Sequence, residues 1–294
     1  MPITLPAQAG EAVIHRGITL VPLFPRRNPA AGYLTLQPAL RRGLLVTERG
    51  AEGSVPELLV TNPIGRPVLL YDGEELLGAK QNRILNLTVL IAAESRTPIP
   101  VSCVEAGRWR RSSVAFAPAA HTAGPELRRR KARALGTDAL ARGVAQQEVW
   151  DAVAEQAGRR GVVSPTAAHA DIFARHESAL ADLRSAFPLQ PGQCGAVLVL
   201  PEGGACLDYL SRPNAYAEHH AKLLDGYLLD ALDQVDRPAA GAEPMNRLLH
   251  RMSLAAPERH ASAGLGIDLR ARTTSVTVTG LELDGELLQL SAYA

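Results

Sequence analysis

The chain has 294 residues, of which 46% are hydrophobic and 21% charged, fractions that exclude wholesale disorder and fibrous repeats. Lysine and arginine number 31 against 30 acidic residues, so the net charge of +1 gives no general attraction to nucleic acid or to anionic membranes. There is no secretory leader pattern and no apolar run of about eighteen residues, which predicts a cytoplasmic protein without membrane spans.

The first third of the chain predicts strands. Short apolar runs over residues 12–110 are separated by Pro, Gly, Asn and Asp, the punctuation typical of a β-rich region. Their spacing indicates an antiparallel, sandwich-like lobe over residues 12–111. The Ser-, Ala- and Pro-rich segment 112–125 is interpreted as a linker or crossing loop.

Helices follow in the middle of the chain. Pro125 begins a predicted helical region that breaks at Gly136–Asp138 and ends near Gly161. Ser164 precedes a second amphipathic helix that continues to Phe187.

The last third predicts a β-hairpin, a helix and then strands that meet at a tight turn formed by Asp284 and Gly285. The order strands, helices, strands indicates an α+β fold and lacks the regular alternation of a parallel doubly wound sheet. We therefore expect residues 1–294 to form a single integrated domain, with sub-lobes at 12–111 and 125–294.

Polar residues concentrate in the segment "DGEELLGAKQNRILN", residues 72–86. If this were one uninterrupted strand, Glu75, Gln81 and Arg83 would share one face, while Glu74 and Asn82 would share the other. Alternatively, Gly78 marks a bulge or a close approach, and residues 81–83 form a polar corner.

A second polar group follows in "IPVSCVEAGRW", residues 99–109, where Glu105 ends an apolar stripe. Desolvation raises the pKa of a carboxyl group in such a position and suits it to general acid catalysis. Glu74 or Glu75 would then remain ionised as a base or an electrostatic stabiliser, so Glu74, Glu75 and Glu105 are the candidate catalytic residues.

The same two segments carry candidate ligand-binding residues. Arg83 and Arg108 can form paired hydrogen bonds with phosphate, and Trp109 offers a flat surface for stacking a base. Gln81 and Asn82 provide both donors and acceptors. The alternative interpretation is that the cluster is a buried polar brace of a β lobe.

No dedicated metal site is predicted from spacing, because His169 and His176 are about 10 Å apart along a helix and the other histidines form no zinc pattern. A hard divalent ion at Asp72, Glu74, Glu75 or Glu105 is left open. Cys103 is interpreted as a small buried hydrophobe rather than a nucleophile, since no histidine lies within its local motif.

The one dense basic run, "RRRKAR" at residues 128–133, is interpreted as a solvated helix face. It carries no interleaved aromatic residues and no nucleic-acid motif, so nucleic acid is not an expected partner. The common nucleotide-binding and hydrolase motifs are also absent from the sequence.

The segments "GEELLGAKQNRILN" and "IPVSCVEAGRW" resemble the ADP-ribosylglycohydrolase and rhodanese-phosphatase-superfamily-associated protein domain family. The resemblance continues through "QQEVWDAV", "SPTAAHADIF" and the closing "DGELLQLSAYA". It implies a link to NAD and ADP-ribose metabolism and a functional association with ADP-ribosylglycohydrolase-type enzymes; it implies no particular activity or cofactor.

Three hypotheses follow from these observations. The first is an enzyme, a hydrolase acting on an ADP-ribose or NAD-derived nucleotide sugar. The second is a non-catalytic module that binds the same small-molecule ligands. The third is an interaction or structural protein whose polar cluster is a brace.

Overall fold

A computed structural model of the chain describes residues 3–50, 56–135 and 139–294, without the side chains of residues 139–144. The predicted helix break at Gly136–Asp138 lies outside these residues. The described residues form an α+β fold with a β-rich N-terminal part, as predicted. None of the described helices is long and apolar enough to cross a membrane.

The described strands are β1 (Ala7–Ala9), β2 (Val13–His15), β3 (Ile18–Pro25), β4 (Leu34–Thr35), β5 (Leu45–Glu48), β6 (Glu57–Asn62), β7 (Val68–Leu70), β8 (Glu74–Gly78), β9 (Arg83–Leu85), β10 (Val89–Ile91), β11 (Ser95–Cys103), β12 (Phe116–Thr122), β13 (Gly195–Val199), β14 (Ala205–Leu210), β15 (Glu258–Ala261), β16 (Ile267–Arg272), β17 (Thr277–Leu283) and β18 (Glu286–Tyr293). The described α-helices are α1 (Leu36–Leu40), α2 (Pro125–Ala134), α3 (Ala139–Arg159), α4 (His169–Ser185), α5 (Pro213–Ala231) and α6 (Glu243–Leu254), and a 3-10 helix covers Leu232–Gln234.

The chain divides into two compact units. The terminal unit contains Met1–Gly32, Ser178–Ser262 and Gly266–Ala294, and the central unit contains Tyr33–Glu177 and Ala263–Leu265. These units interleave along the chain, whereas the predicted sub-lobes follow one another. The assignment of one integrated domain stays a prediction.

The terminal unit is built on a nine-stranded antiparallel sheet in the order β1-β3-β13-β14-β18-β17-β16-β15, with β2 paired to β3. The predicted tight turn joins β17 to β18, and both Asp284 and Gly285 have positive φ, as the favoured two-residue hairpin turn requires. Apolar side chains of β13, β14, β17 and β18 form its core with α6. Strands β13 and β14 pair as predicted, and all three cysteines of the chain are free and buried.

The central unit holds a six-stranded sheet in the order β12-β8-β9-β11-β6-β5 and a three-stranded sheet in the order β10-β7-β4. All of its strand pairs are antiparallel except β4 with β7. One cluster of buried apolar side chains contains residues of both sheets and of α1.

Strand β12 corrects the prediction that residues 112–125 are a loop. It pairs antiparallel with β8 at the edge of the six-stranded sheet and includes Pro118. A proline is tolerated on an edge strand, where a missing N–H costs little. The Ala- and Pro-rich composition of β12 is typical of a linker. The pairing with β8 is a tertiary contact, which local strand propensity cannot predict.

Strands β8 and β9 form a hairpin, so the interpretation of residues 75–83 as one uninterrupted strand is wrong and the alternative with a break at Gly78 is correct. Gly78 has φ of +117°, and a Cβ atom there would lie 2.4 Å from Oγ of Ser113. Both the backbone conformation and the close approach therefore require glycine. Residues 79–82 become the polar turn between the two strands.

The basic run on α2 is partly buried, which corrects the prediction of a solvated face. Arg128 and Lys131, one helical turn apart, are fully buried. Lys131 Nζ contacts Asp72 Oδ1 and donates to the carbonyl of Leu85 at 2.6 Å, while Nε of Arg128 lies 3.6 Å from Asp72 Oδ2. Burial lowers the pKa of Lys131, and Asp72 opposes that effect.

We expect Asp72→Asn to lower the free energy of unfolding by about 3–5 kcal/mol, because two buried cations lose the carboxylate that faces them. Urea denaturation followed by circular dichroism measures this loss. Arg129→Gln is the matched control on the exposed face of the same helix, with an expected change within about 0.5 kcal/mol. A loss below about 1 kcal/mol in Asp72→Asn would contradict the role of this ion pair.

Candidate functional site

Four sequence-predicted site residues, Gln81, Asn82, Glu105 and Arg108, meet around the turn between β8 and β9 and the end of β11, where Thr166 joins them. We name the group of Gln81, Asn82, Glu105, Arg108 and Thr166 the Glu105 corner. Oε2 of Glu105 accepts the backbone N–H of Asn82 at 3.0 Å, and Oε1 accepts the hydroxyl of Thr166 at 2.8 Å. Gln81 donates its side-chain amide to the backbone carbonyl of Glu105.

Arg108 closes the corner from the other side. Its Nε donates to Glu105 Oε1 at 2.9 Å, and Nη2 lies 2.8 Å from Oε2, so the guanidinium contacts the carboxylate in a bidentate arrangement. Nη1 and Nη2 also donate to the backbone carbonyls of Ala79, Arg110 and Gly78 and to the Asn82 side chain, at 2.9 to 3.2 Å. With its donors used in this way, Arg108 acts as a brace in this conformation.

The corner also fixes the chain segment that leads into α4. Glu105 forms an isolated β-bridge with Ala168, and the backbone N–H of His169 donates to the carbonyl of Val104 at 2.9 Å. A Cβ atom on Gly107 would lie 2.9 Å from the Cα atom of Thr166, so glycine is required for this close approach. Glu105 therefore positions the start of α4.

Arg83 lies beneath the side chain of Trp109. Its guanidinium carbon is 5.5 Å from the centre of the indole, and Nη1 donates to Gln81 Oε1 and to Cys103 Sγ, each at 2.7 Å. Nη2 is 3.7 Å from Oε1 of Glu48. Although Arg83 is fully buried, its Nε and Nη2 donate to no residue in the described part of the chain.

Trp109 itself is half exposed, at 50% of its surface. Lys80 adds a second cation to the same ring, with Nζ 5.3 Å from the indole centre. We name the group of Lys80, Arg83 and Trp109 the Trp109 edge. It combines an accessible aromatic surface with two positive charges, the combination that binds a phosphorylated ligand with a base.

Cys103 is a buried thiol next to this edge. Burial raises its pKa to about 11, with Arg83 opposing and Glu48 adding to the shift. The side chain is therefore protonated at neutral pH and is a poor nucleophile, in line with the interpretation from sequence.

The remaining candidate carboxylates, Glu74 and Glu75, are buried on β8 and face different partners. Oε2 of Glu74 accepts the backbone N–H of Tyr71 at 3.0 Å. Glu75 lies between two histidines: its Oε1 contacts Nδ1 of His169, and its Oε2 is 3.2 Å from Nε2 of His121. We name the group of Glu75, His121 and His169 the Glu75 triad.

The triad is closed to solvent, since its three residues expose 7% of their surface or less. Burial alone would raise the pKa of Glu75, but the adjacent His169 and His121 lower it below its usual range. The ring of His121 stacks on Phe173, with centres 3.7 Å apart and planes 10° apart. Nε2 of His169 is 3.0 Å from Oε1 of Gln156, which is also buried.

The Trp109 edge and the Glu75 triad use opposite faces of the β8–β9 hairpin. Leu76 pairs with Arg83 and Glu75 pairs with Ile84. Paired residues project to the same face and successive residues to opposite faces, so the side chains of Arg83 and Glu75 leave the sheet in opposite directions.

Sequence reasoning missed the two histidines of the triad, for separate reasons. His121 lies on β12, whose sequence predicts a loop, and the spacing of His169 from the other histidines indicates no metal site. The available signal was the spacing of His169 and Phe173, four residues apart at the start of an amphipathic helix, which places both on one face.

A cleft of 650 Å³ lies in the terminal unit and contains none of the sequence-predicted site residues. Two of its charged side chains, Arg259 and Glu282, pair with each other at 2.6 Å, and Glu286 accepts the backbone N–H groups of Ala30 and Ala31. The chemistry suggested by the sequence is therefore confined to the central unit.

We expect Glu105→Gln to lower the free energy of unfolding by about 2 kcal/mol at pH 7, because Arg108 loses its carboxylate. Burial raises the pKa of Glu105, but the hydrogen bonds from Arg108, Asn82 and Thr166 lower it by a larger amount, so the net shift of the pKa is downward. A carboxyl group whose pKa is depressed in the folded state stabilises the fold at pH values above its unfolded-state pKa of about 4.3. This stabilisation is lost as the pH falls. The difference between wild type and variant should therefore shrink below about pH 4, as measured by urea denaturation. A difference that is independent of pH from 7 to 3 would contradict this assignment.

Comparisons with known proteins place the whole chain in one family. No curated protein and no solved structure matches it. Residues 6–293 match the ARG and Rhodanese-Phosphatase-superfamily-associated Protein domain, where ARG denotes ADP-ribosylglycohydrolase. This match covers both units, including the Glu105 corner, the Trp109 edge and the Glu75 triad. The chain therefore belongs to the ARG and Rhodanese-Phosphatase-superfamily-associated Protein domain family.

Proposed function

We propose that this protein binds an ADP-ribose-type ligand, a phosphorylated nucleotide sugar, at the Trp109 edge. The observation that carries the proposal is the half-exposed indole of Trp109, whose centre lies 5.3 Å from Nζ of Lys80 and 5.5 Å from the guanidinium carbon of Arg83. An accessible aromatic face can stack a base, and positive charge beside it attracts phosphate. The association of the family with ADP-ribosylglycohydrolases supports ADP-ribose as the ligand class.

The parts of such a ligand correspond to the parts of the edge. Adenine stacks on the exposed face of Trp109, while the phosphates lie toward Lys80, and the buried Arg83 adds positive charge from beneath the ring. Arg108 supports this arrangement indirectly, because its bonds to the carbonyls of Gly78 and Ala79 hold the turn that carries Lys80. Gln81 and Asn82 likewise orient the turn.

Binding without turnover is the function that the geometry favours. Glu74, Glu75 and Glu105 each expose 5% of their surface or less, and Glu105 already accepts three side-chain or backbone donors. A general acid or base has to come within hydrogen-bond reach of its substrate. These buried carboxylates serve the hairpin and the start of α4 instead.

Hydrolysis of the ligand is the second candidate, and the Glu75 triad is the observation that favours it. A buried glutamate in contact with two histidines is an arrangement that can hold and transfer a proton. Incubating ADP-ribose with wild type and with Glu75→Gln, followed by separation of the products, tests this candidate. Turnover in wild type that is absent in Glu75→Gln supports hydrolysis at the triad. No product in wild type excludes hydrolysis, and equal product formation in both proteins excludes the role of Glu75.

We expect ADP-ribose to quench the fluorescence of Trp109, because stacked adenine contacts the indole. The chain has two tryptophans, and Nε1 of Trp150 makes no hydrogen bond to a described residue, so Trp150→Phe leaves Trp109 as the sole reporter without breaking such a bond. Ribose 5-phosphate, which has no base, is the control ligand and should quench little. Absence of quenching by millimolar ADP-ribose in a folded Trp150→Phe variant would contradict the proposal.

We expect Trp109→Ala to weaken ADP-ribose binding by roughly 5- to 150-fold in calorimetric titrations, because base stacking contributes about 1–3 kcal/mol. Lys80→Gln should weaken ADP-ribose binding by roughly fivefold and leave adenosine binding unchanged, since it removes a charge near the phosphates. Val163→Ala is the matched control at a side chain that is 93% exposed. Equal affinity in Trp109→Ala and Val163→Ala would exclude the Trp109 edge as the binding surface.

A further inference from the structure

We propose that Glu75, His121 and His169 form a binding site for a divalent transition-metal ion. The inference is independent of the proposed nucleotide binding at the Trp109 edge, because it rests on the opposite face of the β8–β9 hairpin and on no nucleotide contact. The three residues come from β8, β12 and the first residue of α4. Each offers one ligand atom, and these atoms all lie within 4.8 Å of one another.

The spacing of the ligand atoms suits a small ion. Nε2 of His121 is 3.2 Å from Oε2 of Glu75. Two ligands bound at about 2.1 Å in a tetrahedral zinc site are about 3.4 Å apart, so this separation matches one edge of such a site. Nδ1 of His169 contacts the other carboxylate oxygen of Glu75, and the third ligand atom thus lies within 4.8 Å of the other two.

Unsatisfied polar atoms within the triad provide a second observation. Oε2 of Glu75 and Nε2 of His121 are both buried, and neither has a partner with hydrogen-bond geometry in the described part of the chain. Buried polar atoms of this kind call for a bound group, because folded proteins leave few buried polar atoms unsatisfied. A cation between them satisfies both, since each offers a lone pair.

The groups around the triad hold its rings in a ligating orientation. Oε1 of Gln156 accepts from Nε2 of His169, so a neutral His169 carries its proton on Nε2 and directs the lone pair of Nδ1 at Glu75. Such an outer hydrogen bond is the usual support of a metal-ligating histidine. Phe173 stacks on His121 and fixes the plane of the second ring.

The donor set selects the class of ion. Two imidazole nitrogens and one carboxylate suit zinc, iron or another first-row divalent ion, whereas magnesium and calcium prefer oxygen ligands alone. No cysteine is part of the triad, and three protein ligands leave further coordination positions for water.

The test is a zinc titration of the full chain after treatment with chelator and dialysis. We expect one zinc per chain in wild type by elemental analysis, and a raised melting temperature. Glu75→Gln and His169→Gln should weaken zinc binding by at least about a hundredfold, and Gln156→Ala by roughly 10- to 100-fold. His250→Gln, at an exposed histidine of α6, is the matched control and should bind like wild type.

Cobalt provides an independent readout, because its visible spectrum reports the ligands. We expect absorption bands without the charge-transfer band of a cobalt–thiolate bond, which distinguishes binding at the triad from binding at the three free cysteines.

If Glu75→Gln does not fold, the zinc affinity of Gln156→Ala tests the site instead, because Gln156 supports His169 and is not itself a ligand. Wild type that binds no zinc, or zinc affinity that is the same in Gln156→Ala, His169→Gln and His250→Gln, would overturn the proposal. None of these measurements involves ADP-ribose, so failure of the metal site and failure of nucleotide binding are distinguishable.

Discussion

The burial of acidic side chains between residues 72 and 75 is the constraint on which the central unit depends. Asp72, Glu74 and Glu75 each expose 2% of their surface or less. A buried carboxylate is costly unless other groups neutralise it or donate hydrogen bonds to it, and no neighbour in the sequence supplies those charges. Later segments must therefore come to the hairpin: α2 brings Lys131 and Arg128 to Asp72, and β12 and α4 bring His121 and His169 to Glu75.

The burial of Glu75 explains the structural role of the Glu105 corner. Glu105 holds Thr166 and bridges to Ala168, so the residue that follows, His169, enters α4 at a fixed place beside Glu75. Glu105 thus positions the triad, and its role as a catalytic acid stays a prediction. The same corner, through Arg108, fixes the turn that carries Lys80 toward the Trp109 edge. One polar brace therefore supports both faces of the hairpin.

The sequence predicts the α+β class and the two polar segments well, because apolar periodicity and glycine punctuation are local signals. It also offers a break at Gly78 as one of two alternatives, and the φ of +117° explains why this alternative is correct. It fails where a tertiary contact decides the outcome. Strand β12 looks like a linker because its pairing with β8 is remote in sequence, and the burial of Lys131 depends on a carboxylate 59 residues away.

The same limit applies to the candidate site. Glu75 was selected as an unusual polar residue in a strand, but its partners His121 and His169 come from segments separated by the whole of α2 and α3. No spacing rule within one element can reveal such a group. The sheet order places β12 beside β8 and so brings His121 to Glu75, and the bridge between Glu105 and Ala168 brings His169. Arg83 and Trp109 are recognisable as ligand-binding candidates from their residue types and from the two polar segments that contain them, since Arg83 begins β9 and Trp109 follows the end of β11.

The most direct test of this account is a crystal structure of the protein soaked with zinc and ADP-ribose, with diffraction data collected at the zinc absorption edge. The account predicts one strong anomalous peak bonded to Glu75, His121 and His169, and nucleotide density against the indole of Trp109 on the opposite face of the hairpin. Zinc confined to surface histidines, with the contacts between Glu75 and the two buried histidines unchanged and no nucleotide at Trp109, would contradict it.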